Sequence, residues 1–233
     1  MTGSITLADR RRHALALLDD MIHRRFPSRI AVSSSFGTEA AVLLDLVAAI
    51  DRRVPILFLD TGLLPPETLA YRDHLVALLG LGNVRRLGPD PADLANQDPL
   101  DRLHQDDPER CCDLRKVRPL DRVLGEFKAW ITGRKRHHGG ERGDLAEIEF
   151  SDGRTKINPL ADWPETAIAQ AFAARDLPPH PLLACGYRSI GCGPCSQPTE
   201  PGEPVRAGRW RGRAKTECGI HRPAQTLSLP LPA

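Results

Sequence analysis

Net charge, long apolar runs and lysine are all scarce in this 233-residue chain. Its 32 Lys and Arg stand against 30 Asp and Glu, leaving +2, so bulk charge gives no sign of a dedicated DNA-binding domain. No window approaches the roughly 20 apolar residues of a membrane span. The two most apolar stretches, Ala40 to Ile50 and Val54 to Leu59, are broken by Asp45 and Asp60. Arg10, Arg11 and Arg12 before an apolar stretch superficially suggest a signal peptide, but Asp19 and Asp20 interrupt that stretch too early for an h-region. The expected location is therefore the cytoplasm, with no membrane partner. Only five of the 32 cations are Lys and there are 21 Pro, a bias that reflects genome composition rather than function. Repeats and low-complexity tracts are absent. With 41% hydrophobic residues, long-range disorder is excluded for most of the chain, and the length suits one domain or two small ones.

What is present alternates. Leu7 to Phe26 has helical spacing and ends at Pro27-Ser28. Arg29 to Ser33 reads as a strand, Thr38 to Ile50 as an apolar helix, Val54 to Leu59 as a strand, Pro66 to Leu79 as a helix and Asn83 to Leu87 as a strand. Leu94 to Pro108 is polar and irregular, and a helix from Glu109 to Glu126 then precedes a strand at Ala129 to Thr132. Two short strands around Glu147 to Phe150 and Thr155 to Ile157, with Ser151-Asp152-Gly153 between them, predict a hairpin, and Glu165 to Arg175 a last helix. Short buried strands alternating with helices predict an α/β fold with a parallel sheet covered on both faces. Residues 1–195 form the expected α/β domain, and 196–233, rich in Pro, Gly and Arg, a loop-like tail over it.

Six cysteines at irregular spacing in a reducing compartment read as ligands or catalysts rather than a disulfide framework. Cys192-Gly193-Pro194-Cys195 is a C-x-x-C, and Cys111-Cys112 is an adjacent pair far upstream. Two close pairs of thiolates can close a tetrahedral zinc site or hold an iron–sulfur cluster. Adjacent cysteines suit one ion poorly, whereas a cubane offers separate irons to neighbouring side chains, so the cluster is the favoured reading. A thioredoxin-like dithiol at Cys192 and Cys195 is the plainer alternative. Cys185, in the apolar Leu182-Leu183-Ala184-Cys185, reads as a small buried hydrophobe. Cys218 lies between Lys215 and His221; cations on either side favour the thiolate and so a nucleophile, against the bland reading of a stray tail thiol.

The small-residue turn Ser33-Ser34-Ser35-Phe36-Gly37-Thr38, between strand and helix, offers hydroxyls and free N–H groups to an anion such as a nucleotide phosphate, although a plain connection explains it equally well. The run from Arg206 to Lys215 holds five cations and Trp210 without an acid. It could bind RNA, clamp a small dianion against Cys218, or be a solvated tail.

With those residues in view, the chain resembles the phosphoadenosine/adenosine phosphosulfate reductase family, specifically the bacterial assimilatory adenylyl-sulfate reductases. The resemblance runs from about Ile30 to His221. It rests on Ser34-Ser35-Phe36-Gly37-Thr38-Glu39, Leu59-Asp60-Thr61-Gly62, Cys111-Cys112 with Arg115-Lys116-Val117, Trp130-Ile131-Thr132-Gly133, Asn158-Pro159-Leu160-Ala161-Asp162-Trp163, Gly186-Tyr187 through Cys192 and Cys195, Gly208-Arg209-Trp210 and Glu217-Cys218-Gly219-Ile220-His221. Where the family usually carries Arg-x-x-Gln after Trp-x-x-Gly, Arg134-Lys135-Arg136-His137-His138 stands here.

The resemblance implies a Rossmann-like sheet of the adenine nucleotide alpha hydrolase kind, with helices on both faces and a mobile C-terminal tail that closes over the ligand. It implies that Cys111, Cys112, Cys192 and Cys195 hold a [4Fe-4S] cluster. Cys218 would be the nucleophile on adenosine 5′-phosphosulfate, forming an S-sulfocysteine that thioredoxin or glutaredoxin resolves to sulfite. Lys116 and His221 would act beside it. Ser34, Ser35, Phe36, Gly37, Glu39, Asp60, Thr61, Gly62, Gly133, Arg136, Arg206 and Arg209 would bind substrate. Other readings are reduction of 3′-phosphoadenylyl sulfate, an RNA-binding partner in tRNA sulfur modification, and a non-catalytic iron–sulfur sensor; under the leading reading no nucleic acid is expected. Homo-oligomerisation is left open by the sequence.

Overall fold

The computed structural model describes residues 5–221. Its centre is a six-stranded sheet in the order β3-β2-β1-β4-β6-β5. The strands are β1 (Ile30–Ser34), β2 (Ile56–Leu59), β3 (Val84–Leu87), β4 (Ala129–Thr132), β5 (Ile148–Ser151) and β6 (Arg154–Ile157). All neighbours pair in parallel except β5, which runs antiparallel to β6 at the edge. The β5–β6 connection holds Asp152 at φ 54° and Gly153 at φ 72°, as a tight two-residue hairpin turn requires.

The helices are α1 (Leu7–Asp19), α2 (Ala40–Ile50), α3 (Pro66–Leu79), α4 (Pro91–Gln97), α5 (Leu103–Asp106), α6 (Pro108–Cys112), α7 (Arg118–Leu124) and α8 (Glu165–Arg175). Thr6 and Asp9 cap α1 reciprocally, each side chain accepting the other's backbone N–H. The predicted helix from Leu7 is helical to Arg25, with Phe26 as its C-cap, and its last turn, Asp20–Arg25, widens to π geometry. α2 buries every residue from Ala41 to Val47. Asp45, which interrupts that apolar run in sequence, is neutralised by Arg11 at 2.8 Å and Arg175 at 3.1 Å, so α1 and α8 are tied to α2 by charge as well as packing. The larger core lies on this side of the sheet, and a smaller layer of Ala31, Leu57, Leu120, Leu124, Phe127 and Trp130 covers the other.

Two expectations change. The segment Leu94 to Pro108 is not irregular: Asp90 caps α4 through the N–H groups of Ala92 and Asp93, and Asp107 caps α6 through Arg110 N–H, each followed by Pro at the first helical position. The helix from Glu109 to Glu126 is two helices joined by a π turn, Asp113–Val117. Among the described residues, no helix is long and apolar enough to cross a membrane.

His180 shows how a buried polar group is fixed. It is 1% exposed, accepts Leu182 N–H at Nδ1 (3.2 Å), and therefore donates from Nε2 to Thr68 Oγ1 at 3.1 Å, with Tyr71 edge-on at 4.8 Å. Burial pushes its pKa down from 6.5 to about 4. The unfolded chain thus takes up this proton first, and stability falls as pH drops from about 6.5 to about 4. We expect urea unfolding to register a loss on the order of 3 kcal/mol from this group across that window. His180→Asn, which retains an acceptor for Leu182, should flatten the slope; an unchanged slope would assign the loss to other groups.

Candidate active site

A parallel sheet whose chain starts at β1, moves out to β3 and returns to β4 has its crevice between β1 and β4, at their carboxyl ends. A cavity of about 190 Å³ lies there, and four separate parts of the chain converge on it. The β1–α2 turn supplies Ser34, Ser35, Gly37 and Glu39; the end of β4 supplies Gly133; the π turn supplies Lys116. The segment beyond residue 196 supplies Arg206, Arg209, Cys218 and His221.

Five of the predicted substrate residues, Phe36, Asp60, Thr61, Gly62 and Arg136, do not line this cavity. Phe36, at φ 48°, turns its ring into the core, edge-on to Phe58 at 5.4 Å. Asp60 pairs with Arg86 at 2.7 Å and caps Gly62 N–H. Thr61 sets its hydroxyl 3.2 Å from the Cys192 sulfur, so this turn supports the cysteines instead. Arg136 donates to Leu145 O and pairs with Asp162, facing away. Cys185 is exposed, not buried: it ends a 3₁₀ turn capped by His180, leaving the apolar Leu182 to Ala184 stretch at the surface rather than in a strand or helix.

The tail is docked by two kinds of contact on either side of Cys218. After it, Ile220 packs on the layer containing Leu120 and Trp130, and His221 stacks on Trp130 with ring centroids 5.2 Å apart and planes 20° apart. Before it, Glu217 receives a two-pronged bond from Arg142, Nε to Oε1 at 2.6 Å and Nη2 to Oε2 at 2.9 Å, and also meets Arg206 at 3.2 Å. Burial holds the His221 pKa well below its ordinary value, and Arg134, Arg142, Lys156 and Arg206 push the same way, so its imidazole is neutral. Burial also lowers Arg206, to about 10.

Sequence reasoning missed Arg142, Lys135 and His138, all in the loop after β4. Glu39 meets Lys135 at 2.8 Å and His138 at 2.9 Å. Burial opposes ionisation of Glu39, but Lys135 and the two histidines outweigh it and hold the carboxyl well below the usual range. Burial lowers His138 to about 4. Glu39, His137 and His138 present ligand atoms within 4.8 Å of one another, yet the Lys135 ammonium already supplies the cation there. The signal for Lys135 and His138 was their departure from the Arg-x-x-Gln pattern.

Cys111, Cys112 and Cys192 are buried and Cys195 is partly so, and none is in a disulfide. Burial, with mutual repulsion, pushes Cys111 up to about 12 and Cys112 to about 11. Burial acts the same way on Cys192, but Lys116, the Thr61 hydroxyl and Arg209 outweigh it and bring that thiol down. Four inward-facing thiols with so few polar partners fit a group that takes thiolates. Among the described residues, no three cysteine sulfurs lie within 4.8 Å of one another. Tetrahedral Zn–S bonds of about 2.3 Å would demand a closer set, so the arrangement fits a multi-iron cluster better than one zinc ion.

Lys116 joins the two halves. It is buried and lies close to the Cys192, Cys112 and Cys218 sulfurs, whose charge raises its pKa despite burial. Arg209 lies against Gly191, where any Cβ would fall within 2.3 Å of its guanidinium, and donates to Cys195 O at 3.3 Å.

The chain matches the phosphoadenosine phosphosulfate reductase domain over residues 29–198. It is 48% identical over 215 residues to the adenosine 5′-phosphosulfate reductase of Mesorhizobium japonicum, covering 92% of this chain and 85% of that one. It is 40% identical over 204 residues to the phosphoadenosine 5′-phosphosulfate reductase of Gloeobacter violaceus, covering 85% and 84%. The phosphate complex of the Candida auris phosphoadenylyl-sulfate reductase superposes with a TM-score of 0.65 at 23% identity, over 83% of this chain and 98% of that one. The Candida glabrata FMN adenylyltransferase, solved with FMN and an ATP analogue, superposes with a TM-score of 0.58 at 15% identity, over 96% and 81%. These two structures establish the sheet architecture, and the sequence matches establish descent: the chain belongs to the phosphoadenosine phosphosulfate reductase domain family.

Proposed function

We propose that this protein is an oxidoreductase of sulfate assimilation that reduces adenosine 5′-phosphosulfate to sulfite and AMP, feeding cysteine biosynthesis. The observation that carries the reading is the convergence of Cys218, Lys116, Arg206 and Arg209 with the Ser34 to Glu39 turn on one cavity. The turn and its helix N-terminus bind the nucleotide; the cations bind the phosphosulfate oxygens and offset charge as a thiolate approaches. The Cys218 thiolate attacks the sulfuryl sulfur, the S–O bond to phosphate breaks, and AMP leaves with the electron pair. The new S–S bond is an S-sulfocysteine. A thiol of thioredoxin or glutaredoxin then attacks the Cys218 sulfur and expels sulfite; its second thiol releases Cys218, so the dithiol supplies both electrons and becomes a disulfide.

Cys111, Cys112, Cys192 and Cys195 would hold a [4Fe-4S] cluster, which supplies a fixed anionic charge beside Lys116. Free thiols at all six cysteines suit a reducing cytoplasm. The placement of Cys218 beyond residue 196 supports the division into an α/β domain of 1–195 and a catalytic tail of 196–233. Part of that tail, 222–233, lies outside the described residues.

Anaerobic protein mixed with adenosine 5′-phosphosulfate and no reductant should release one AMP per chain and carry an adduct of about 80 Da, the mass of SO₃, on Cys218. Absence of both would refute the assignment. The Gloeobacter relative favours one second reading, the same chemistry on the 3′-phosphorylated substrate. The ratio of kcat/KM for the two nucleotides decides between them.

A further inference from the structure

A continuous polar chain runs from the nucleotide turn to the residue preceding Cys218. Glu39 accepts from His138 Nε2 at 2.9 Å, and Arg142 Nη1 lies 3.1 Å from His138 Nδ1. A guanidinium only donates, so Nδ1 is the acceptor, Nε2 carries the proton, and this direction is unique. Arg142 then spends its other nitrogens on Glu217, with side chains only 11% and 15% exposed. Neighbouring contacts reinforce the same end: Thr216 donates to Glu141 at 2.7 Å, and Arg206 donates to Thr216 O at 2.6 Å. Arg142 stands just after Gly139 and Gly140, both at positive φ, where the chain reverses to bring the guanidinium beneath the tail.

We propose that His138 and Arg142 are positioning residues for Cys218, coupling the Glu39 turn to the nucleophile through Glu217. Because Glu217 and Cys218 share a peptide bond, fixing one carboxylate in two dimensions fixes the sulfur's approach. The coupling is reciprocal: ordering the turn favours the docked tail, and docking the tail favours the ordered turn. His138 is suited to this because a neutral imidazole both accepts and donates along the line. A glutamine amide can do the same; an alanine cannot.

The proposal rests on Cys218 being the nucleophile, but its test needs no turnover. In the ligand-free, cluster-loaded protein, Cys218 alkylation by iodoacetamide is followed by peptide mass, with exposed Cys185 as internal reference. We expect His138→Ala and Glu217→Gln each to accelerate Cys218 alkylation about fivefold or more, the double variant to exceed neither, and His138→Gln to stay at the parent rate. Cys185 should not respond. An unaltered Cys218 rate in His138→Ala, or multiplicative effects in the double variant, would overturn the coupling. If alkylation behaves as expected while no AMP is released from adenosine 5′-phosphosulfate, the coupling stands and the substrate assignment falls.

Discussion

Replacing Cys218 by serine should abolish sulfite formation and the burst of AMP, a fall of about a thousandfold or more, because a hydroxyl at neutral pH carries almost no anion. The substitution is small, and Cys218 is not in the core, so the fold, the iron content and the docking of Ile220 and His221 on Trp130 should survive. Two controls make the result informative. Nucleotide binding measured with AMP should be retained, since the β1–α2 turn is untouched. Iron per chain should equal the parent's, since the four remaining buried or half-buried cysteines of the group are unchanged. A serine variant that still releases AMP at the parent rate would remove the covalent Cys218 intermediate from the mechanism.

Most of the fold is legible in the sequence because its strands are short buried runs between strong turns. α3 and α8 begin and end where Pro66, Leu79, Glu165 and Arg175 predict, and β4 spans the predicted Ala129 to Thr132. What escapes is capping. Asp90-Pro91 and Asp107-Pro108 each announce a helix start, yet the helices they open bury no apolar face strong enough to show periodicity, and α4 has no buried residue at all. The π turn escapes for another reason: Asp113 to Val117 keeps a helix-like residue pattern, and the bonds of its Arg115 to Asp98 and Thr61 O come from distant sequence.

At the site, local motifs reveal residues whose chemistry is unusual, such as Cys218 and the four cysteines, but not residues whose role comes from a distant partner. Arg142 is one arginine among many until the tail brings Glu217 to it across 75 positions of sequence. Phe36 errs the other way. It sits inside the turn motif, but at positive φ its ring packs in the core against Phe58, while its neighbours Ser35 and Gly37 line the cavity. Sequence adjacency equates Phe36 with Ser35 and Gly37; geometry separates them.

Lys116→Met carries the other large expected effect. Lysine and methionine have similar length and volume, so the exchange removes one charge from a buried site with little change in packing. That charge is shared: the ammonium is coupled to the Cys192, Cys218 and Cys112 sulfurs and lines the cavity, so it faces the cysteine group and the cavity together. The spacing of Cys112 and Lys116 predicts a common helical face, and the π turn preserves it. In the proposed reaction negative charge would move from Cys218 onto the phosphate of departing AMP, and a preorganised cation beside Cys218 would be most valuable at the point of greatest charge spread. We expect kcat to fall about a hundred- to a thousandfold, with KM changing far less. Iron content should persist, since Lys116 is not itself a ligand. Equal loss of iron and activity would make the residue a support for the cysteine group alone, and undiminished kcat would show that Arg206 and Arg209 suffice to carry the developing charge.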